Sequence, residues 1–276
     1  MAGEHIDDLP PLRDIISEHG LAAKKQLGQN FLLDLNLTSR IARTAGDLSD
    51  TTVIEIGPGP GGLTRAILAA GAKKLIAVER DDRCIDALNA YLAPAYPNRF
   101  EIIAGDALEQ DYEALAQGPK RIMSNLPYNI ATPLLIGWLK NASAFTGFTL
   151  MFQKEVADRI TAKPRTKAYG RLSIMCQWLC EVRPEFNIDA RAFTPPPKIQ
   201  STVVTLIPRP EPLAPASWNA MEKVTATAFG QRRKMLRQSL KSLKLNPQDV
   251  GIKETARAEE LGVEDFAALA RLLEAQ

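Results

Sequence analysis

The sequence predicts a doubly wound, largely parallel α/β sheet followed by a small helical domain. Three observations carry this. From about Thr51, apolar runs of strand length alternate with segments of helical period. The first of these strands runs straight into a glycine-rich turn and a helix, VIEIGPGPGGLT. Past residues 207–217, which hold four prolines in eleven residues, the pattern is helical with no strand signal.

The elements follow in order. Residues 1–20 carry five acids and one base and include Pro10 and Pro11, so 1–23 reads as a loose arm leading into a short helix. KKQLGQNFLLD follows, two lysines and then an apolar burst. TVIEI is the first strand of the sheet, and LTRAILAA is a helix that stops at Gly71. KLIAVE and CIDALNAYL form the next strand and helix, and RFEIIAGDA is a third strand with an acidic exit. RIMSNLPY is a fourth strand, TPLLIGWL a helix and GFTLMFQ a fifth strand. After Lys154 come a basic stretch, an apolar helix over 173–179 and two strands flanking FTPPPK. The proline-rich linker puts a boundary near Pro210, giving a sheet domain over 24–210 and a helical one over 211–276. No internal repeat is visible.

Composition excludes several classes. Apolar residues make up 45% and charged residues 24%, the balance of a soluble globular enzyme. No run of eighteen apolar residues exists, so no membrane span is expected. The acidic, proline-containing start does not resemble a signal or transit peptide. Three cysteines, Cys84, Cys176 and Cys180, cannot build a disulfide framework, and a cytoplasmic setting is expected. His5 and His19 both lie near the start, and Cys176 and Cys180 sit in the apolar run SIMCQWLC, so no metal site is expected. The net charge of +2 suggests no nucleic-acid partner until its distribution is examined.

Gly57, Gly59 and Gly62 match GxGxxG between a strand and a helix, a pattern that binds dinucleotides but also occurs as a plain tight turn. Glu79 ends the next strand, 22 residues after Gly57, where an acid can accept hydrogen bonds from ribose hydroxyls. Asp106 follows the third strand and can accept one from an adenine amino group. These features fit a nicotinamide cofactor or S-adenosylmethionine equally well.

The tetrad Asn125, Leu126, Pro127, Tyr128 follows the fourth strand. Adenine N6 is a poor nucleophile because its lone pair is delocalised into the ring. An Asn side-chain oxygen and a backbone carbonyl, fixed by proline, supply two acceptors that draw N6 toward a pyramidal geometry. The neighbouring tyrosine can stack on an unstacked base.

With these residues in view, GPGPGG, Glu79, Asp106 and NLPY resemble the S-adenosylmethionine-dependent N6-adenine methyltransferases. KKQLGQNFLLD, NLPYNIATPLL, FTPPPKIQSTV and AFGQRRKMLRQSL narrow the resemblance to the bacterial small-subunit rRNA adenine dimethyltransferases, the KsgA/RsmA family, over most of the chain. The resemblance implies a Rossmann-like S-adenosylmethionine-dependent methyltransferase sheet with a small all-helical C-terminal domain. It implies transfer of four methyl groups onto two adjacent adenosines near the 3′ end of 16S rRNA, by a monomer acting on a small ribosomal subunit or its precursor. By position, Asn30 and Leu32, with Gln29 beside them, match the cofactor-contacting strip, and Gly57 and Gly59 match the loop. Glu79 matches the ribose acid and Asp106 the adenine acid, while Asn125 lies between cofactor and target base. Tyr128 stacks on one face of that base, and Phe193 is placed on the other or in the core. Gly61 and Gly62 make the loop richer in glycine than the family pattern.

Charge distribution supports an RNA partner. Residues 232–244 carry six bases and no acid, and 158–171 carry five bases and one acid. As one helix, 229–244 would put Leu236, Leu240 and Leu243 on one face and Arg233, Arg237, Lys241 and Lys244 beside it. Arg232, Arg233, Lys234, Arg237 and Lys241 are therefore expected to face RNA phosphate, with Lys163, Arg165 and Lys167 on a second patch. Lys24 and Lys25 are expected near the cofactor strip. A dehydrogenase explains the loop and Glu79 but neither NLPY nor the bases. A 23S rRNA methyltransferase, a DNA adenine methyltransferase and a non-catalytic assembly factor are the further alternatives.

Overall fold

The computed structural model describes residues 9–24 and 28–276, so Lys25 and the first eight residues lie outside the described part. The chain divides into two compact units. The first comprises Met1–Lys154 and Pro184–Thr205, the second Glu155–Arg183 and Leu206–Gln276.

In the first unit, helix α1 (Leu12–Glu18) buries Leu12 and Ile15. The arm expected to be loose is docked from Pro10 onward. Arg65 donates to the Pro10 carbonyl at 2.8 Å and Arg83 to the Gly20 carbonyl at 2.6 Å. Strand β1 (Phe31–Leu32) leads to α2 (Leu35–Arg43), whose N-cap Asp34 accepts from the amides of Asn36 and Leu37. The expected alternation follows: β2 (Thr52–Ile56), α3 (Gly62–Ala69), β3 (Lys74–Glu79), α4 (Asp82–Ala95), β4 (Phe100–Ala104), β5 (Lys120–Asn125), α5 (Tyr128–Leu139) and β6 (Gly147–Gln153). The chain then runs through both units, with helices α6 (Lys154–Thr161) and α7 (Arg171–Leu179) followed by β7 (Cys180–Ile188), β8 (Phe193–Thr194) and β9 (Ser201–Pro208). Strand β9 extends through Pro208, so the proline-rich connection begins after it.

Among the described residues the main sheet has the order β4-β3-β2-β5-β6-β9-β7. The pairs β4·β3, β3·β2, β2·β5 and β5·β6 are parallel, with Ile54 opposite both Ile76 and Ile122. Every residue of β2 is buried, as in a strand covered on both faces. The order differs from the dinucleotide-binding order 3-2-1-4-5-6, because the last strand, β9, inserts between β6 and β7. The parallel register matters most for function. It brings the carboxyl ends of β4, β3, β2 and β5 to one edge of the sheet.

The second unit contains α8 (Trp218–Gly230), a one-turn α9 (Leu236–Ser239) and α10 (Val263–Glu274). Its core joins Trp178 of α7 to Met221, Val224, Leu236, Leu240, Phe266 and Leu269. The Trp178 indole donates to the Ala214 carbonyl at 2.7 Å. Two expectations are corrected here. The unit takes in Glu155–Arg183, far upstream of the linker near Pro210. A linker signal marks where a chain leaves a core and cannot show that an earlier segment has joined it. Residues 229–244 also do not form one helix. Helix α8 ends at Gly230, a turn intervenes, α9 is four residues long, and Lys244 has φ +55°. Leu236 and Leu240 are buried nonetheless, because the tertiary core claims them.

Among the described residues no helix is long and apolar enough to cross a membrane, and no cluster of His, Cys, Asp or Glu could hold a metal. All three cysteines are free and buried.

Candidate active site

A cavity of about 330 Å³ opens at the carboxyl edge of β4, β3, β2 and β5, and the strip 28–32 forms one of its walls. Across the sheet, the predicted residues stand in the order Asp106, Glu79, Gly57, Asn125, one per adjacent strand. At about 4.8 Å between strands, this row spans ~14 Å. It crosses the point between β2 and β5 where strand order reverses, which is where open α/β sheets bind ligands.

The glycine loop is shaped by its neighbours. A Cβ on Gly62 would lie 2.3 Å from the Leu32 carbonyl oxygen, and one on Gly59 would lie 2.9 Å from the Phe31 ring. Both glycines therefore make room for the strip 28–32, and not only for a ligand. The glycine at 62 has its physical reason here.

Glu79 is 6% exposed. Its Oε2 accepts from the Gly59 amide at 3.2 Å, and its Oε1 accepts from the amides of Arg80 and Asp81 at 2.8 and 2.9 Å. Burial raises its pKa, and the three amides pull against that rise. Oε1 has both lone pairs engaged, and Oε2, with one bond made, keeps a lone pair for a ribose hydroxyl. Asp106 caps a short turn by accepting from the Leu108 amide and pairs with Arg80 at 3.2 Å.

Asn125 ends β5. Its Nδ2 donates to the Asn30 carbonyl at 2.9 Å. Only the amino end of the amide can do this, so Oδ1 is fixed as the free acceptor. Leu126 is buried, and Pro127 caps α5. The Pro127 carbonyl accepts from the amides of Ile130 and Ala131 and is consumed by the helix. The Tyr128 hydroxyl meets Ser201 Oγ at 2.7 Å, which fixes the ring from β9. Burial raises the Tyr128 pKa.

Of the strip, Gln29, Asn30 and Leu32 line the cavity. Gln29 donates to Asp81 at 3.1 Å, and Lys24 pairs with Asp81 at 3.7 Å. One expected site residue is misplaced. Phe193 is 2% exposed and packs in the core with Leu32, its partner in the β1·β8 ladder, so its ring is not offered to a base.

Glu55 was not singled out from the sequence. It lies in β2 at 1% exposure, lines the cavity and has one oxygen without a hydrogen-bond partner. Burial pushes its pKa up to about 8. A lone acid inside the apolar run TVIEI was the available signal.

In the second unit, the two basic segments meet. Arg232 donates to the carbonyls of Lys167 and Thr166 at 2.8 and 3.1 Å and to Glu259 at 2.8 Å. The Arg165 amide donates to the Glu259 carbonyl at 2.7 Å. Arg232 is thus a clasp between segments. Arg237 pairs with Glu254 at 3.3 Å. The stripe that is acid-free in sequence therefore receives acids from 254–259 in space. Lys163, Arg165, Lys167, Arg233, Lys234 and Lys241 are exposed.

Comparison with known proteins agrees with this geometry. Residues 20–275 match the family model described as ribosomal RNA adenine dimethylase. The chain is 62% identical to the ribosomal RNA small subunit methyltransferase A of Rhodospirillum rubrum, over 98% of this chain and 94% of the relative. It is 63% identical to the protein of the same name from Paramagnetospirillum magneticum, over 98% of this chain and 96% of the relative. Among solved structures, a dimethyladenosine transferase from Plasmodium falciparum superposes with TM-score 0.74 at 26% identity, covering 86% of this chain and 94% of that one. The 23S rRNA methyltransferase ErmE superposes with TM-score 0.69 at 28% identity, covering 89% of this chain and 100% of that one. The dehydrogenase alternative fails against both the strand order and these relatives. The chain belongs to the ribosomal RNA adenine dimethylase family.

Proposed function

We propose that this protein transfers methyl groups from S-adenosylmethionine to N6 of two adjacent adenosines near the 3′ end of 16S rRNA, during small-subunit biogenesis. The observation that carries this is the row Asp106, Glu79, Gly57, Asn125 along the sheet edge. It matches, part by part, a ligand with adenine at one end, ribose next and a reacting centre beside the target base. The small-subunit names of the 62–63% identical relatives favour 16S over 23S rRNA. The protein acts as a cytoplasmic monomer on the subunit or its precursor, in keeping with its free cysteines.

The cavity residues fit S-adenosylmethionine. Glu79 and Asp106 would hold its ribose and adenine, and the strip 29–32 would cover it. When bound, it supplies an electrophilic methyl group on a sulfonium sulfur. The chain prepares the nucleophile. Asn125 Oδ1 accepts one N6 hydrogen, and the Leu126 carbonyl, held by Pro127, accepts the other. This pulls the N6 lone pair out of conjugation. Tyr128, held by Ser201, stacks on the extruded base. Water takes the proton that N6 sheds, since methylation makes N6 acidic and no general base is required. In the second round N6 has one hydrogen left, so one acceptor stays idle.

Lys163, Arg165, Lys167, Arg233, Lys234 and Lys241 would contact RNA phosphate. RNA affinity should then fall steeply with salt, and a flat response would remove this part of the proposal. The central test is methyl incorporation into small-subunit RNA by Asn125→Ala. A loss of about 100-fold or more is expected on the scale of a deleted transition-state contact. Wild-type turnover would overturn the assignment. Mass mapping of methylated nucleotides in RNA from cells with and without the gene identifies the target positions.

A further inference from the structure

We infer that Asp81 is a positioning residue that keys the cofactor strip and the ribose acid to one another, an inference that rests on the proposed methyl transfer. Asp81 is 4% exposed and follows Glu79 by two residues. Its amide donates to Glu79 Oε1 at 2.9 Å, fixing the ribose acid from one side. Its carboxylate accepts from Gln29 Nε2 at 3.1 Å and from the Arg83 side chain at 2.7 and 3.0 Å, and pairs with Lys24. A buried carboxylate with this set of donors stays ionised. Hydrogen bonding to Arg83 holds its pKa down at about 2.

The connection continues to the reacting centre. Gln29 Oε1 accepts from the Lys24 amide at 2.9 Å, so the Gln29 side chain is held at both ends. The next residue, Asn30, offers the carbonyl that orients Asn125 at 2.9 Å. Beyond it, Phe31 and Leu32 are fixed by pairing with Thr194 and Phe193. The strip is thus pinned on both sides of Asn30, by Asp81 through Gln29 and by β8. Asp81 does not line the cavity. It sets where Asn30 sits, and through Asn30 which way the Asn125 amide faces.

The test compares Asp81→Ala, Asp81→Asn, Asp81→Ser, Gln29→Ala and the double variant Gln29→Ala/Asp81→Ala with wild type. S-adenosylmethionine affinity is read by calorimetry, and kcat and KM by methyl incorporation. Asp81→Ala and Gln29→Ala should each weaken the Kd about tenfold, the scale of one charge-assisted hydrogen bond, and lower kcat at saturating donor. The double variant should be no worse than Asp81→Ala, and Asp81→Asn should recover most of the affinity. A residue that only caps α4 would lower the melting temperature and leave Kd and kcat unchanged. Asp81→Ser keeps a capping oxygen for α4 and gives up the carboxylate that holds Gln29, so it carries the test where Asp81→Ala does not fold; Gln29→Ala alone cannot, because Gln29 itself lines the cavity. Kd and kcat within twofold of wild type in Asp81→Ser or Gln29→Ala, or effects that multiply in the double variant, would overturn the inference. A wild-type protein that does not bind S-adenosylmethionine would instead overturn the proposed function.

Discussion

Gly62→Ala adds one methyl group where the loop and the strip are closest. The new Cβ would sit 2.3 Å from the Leu32 carbonyl oxygen, against a practical minimum of 3.0 Å, so the two must part by about 0.7 Å. Neither side moves freely. Leu32 is paired with Phe193, and Gly62 begins α3, where every residue from Gly62 to Leu68 is buried. Overpacking of this kind costs about 1–3 kcal/mol. If the strip yields, the Asn30 carbonyl moves away from Asn125 Nδ2, now at 2.9 Å, and that bond passes out of range. Displacement of a positioning group on this scale lowers turnover by about 10- to 100-fold. Urea unfolding and methyl incorporation into small-subunit RNA measure the two effects. Gly137→Ala is the control, because its Cβ would meet nothing within 4 Å. That helical change should be neutral or stabilise by up to about 1 kcal/mol. A Gly62→Ala protein with wild-type stability and turnover would refute the close-approach account.

Other outcomes follow from the same structure. Glu55 titrates near 4.5 when unfolded and at about 8 when folded, so the folded form keeps a proton the unfolded chain has lost. Stability should therefore be greatest below pH 4.5 with respect to this group and decline as pH rises to about 8, by on the order of 5 kcal/mol. Unfolding of Glu55→Gln across pH 5–9 should lack that decline, and an unchanged pH slope would contradict the buried acid. Glu79→Ala should weaken S-adenosylmethionine binding by about tenfold or more, since it removes a buried carboxylate acceptor. An unchanged dissociation constant would count against the ribose role. Arg232→Ala should lower the melting temperature by unclasping Thr166, Lys167 and Glu259. Arg233→Ala should leave melting unchanged and reduce the salt slope of RNA binding by about 1. The reverse pattern would exchange their roles.

Much of the sheet is legible because period and length decide it. TVIEI, KLIAVE and GFTLMFQ are too short for buried helices and too apolar for loops, and each forms a strand. Asp106, Glu79, Gly57 and Asn125 were found because each stands directly at or after a strand end. In a parallel sheet all such ends share one edge, so position in sequence fixes position in the site. Residues whose role depends on a partner from elsewhere in the chain were harder to see. Phe193 reads as either a stacking or a core aromatic until β1 pairs with β8 and encloses it. Asp81 carries no motif of its own, and Gln29 and Lys24 reach it only in the folded chain. The helix expected over 229–244 has correct apolar spacing, but Leu236 and Leu240 reach the second unit's core from a single turn.

The sequence by itself determined the alternating sheet, the placement of site residues at strand ends and the family resemblance. All of these rest on local pattern and chain order. Tertiary structure decided which acid neutralises which base, why Gly62 must lack a side chain, and how the Asn125 amide is turned. It also decided that Glu155–Arg183 joins the second unit. Each of these is a contact between residues far apart in the chain. Its energy comes from burial and from hydrogen-bond partners that exist only once the chain has folded.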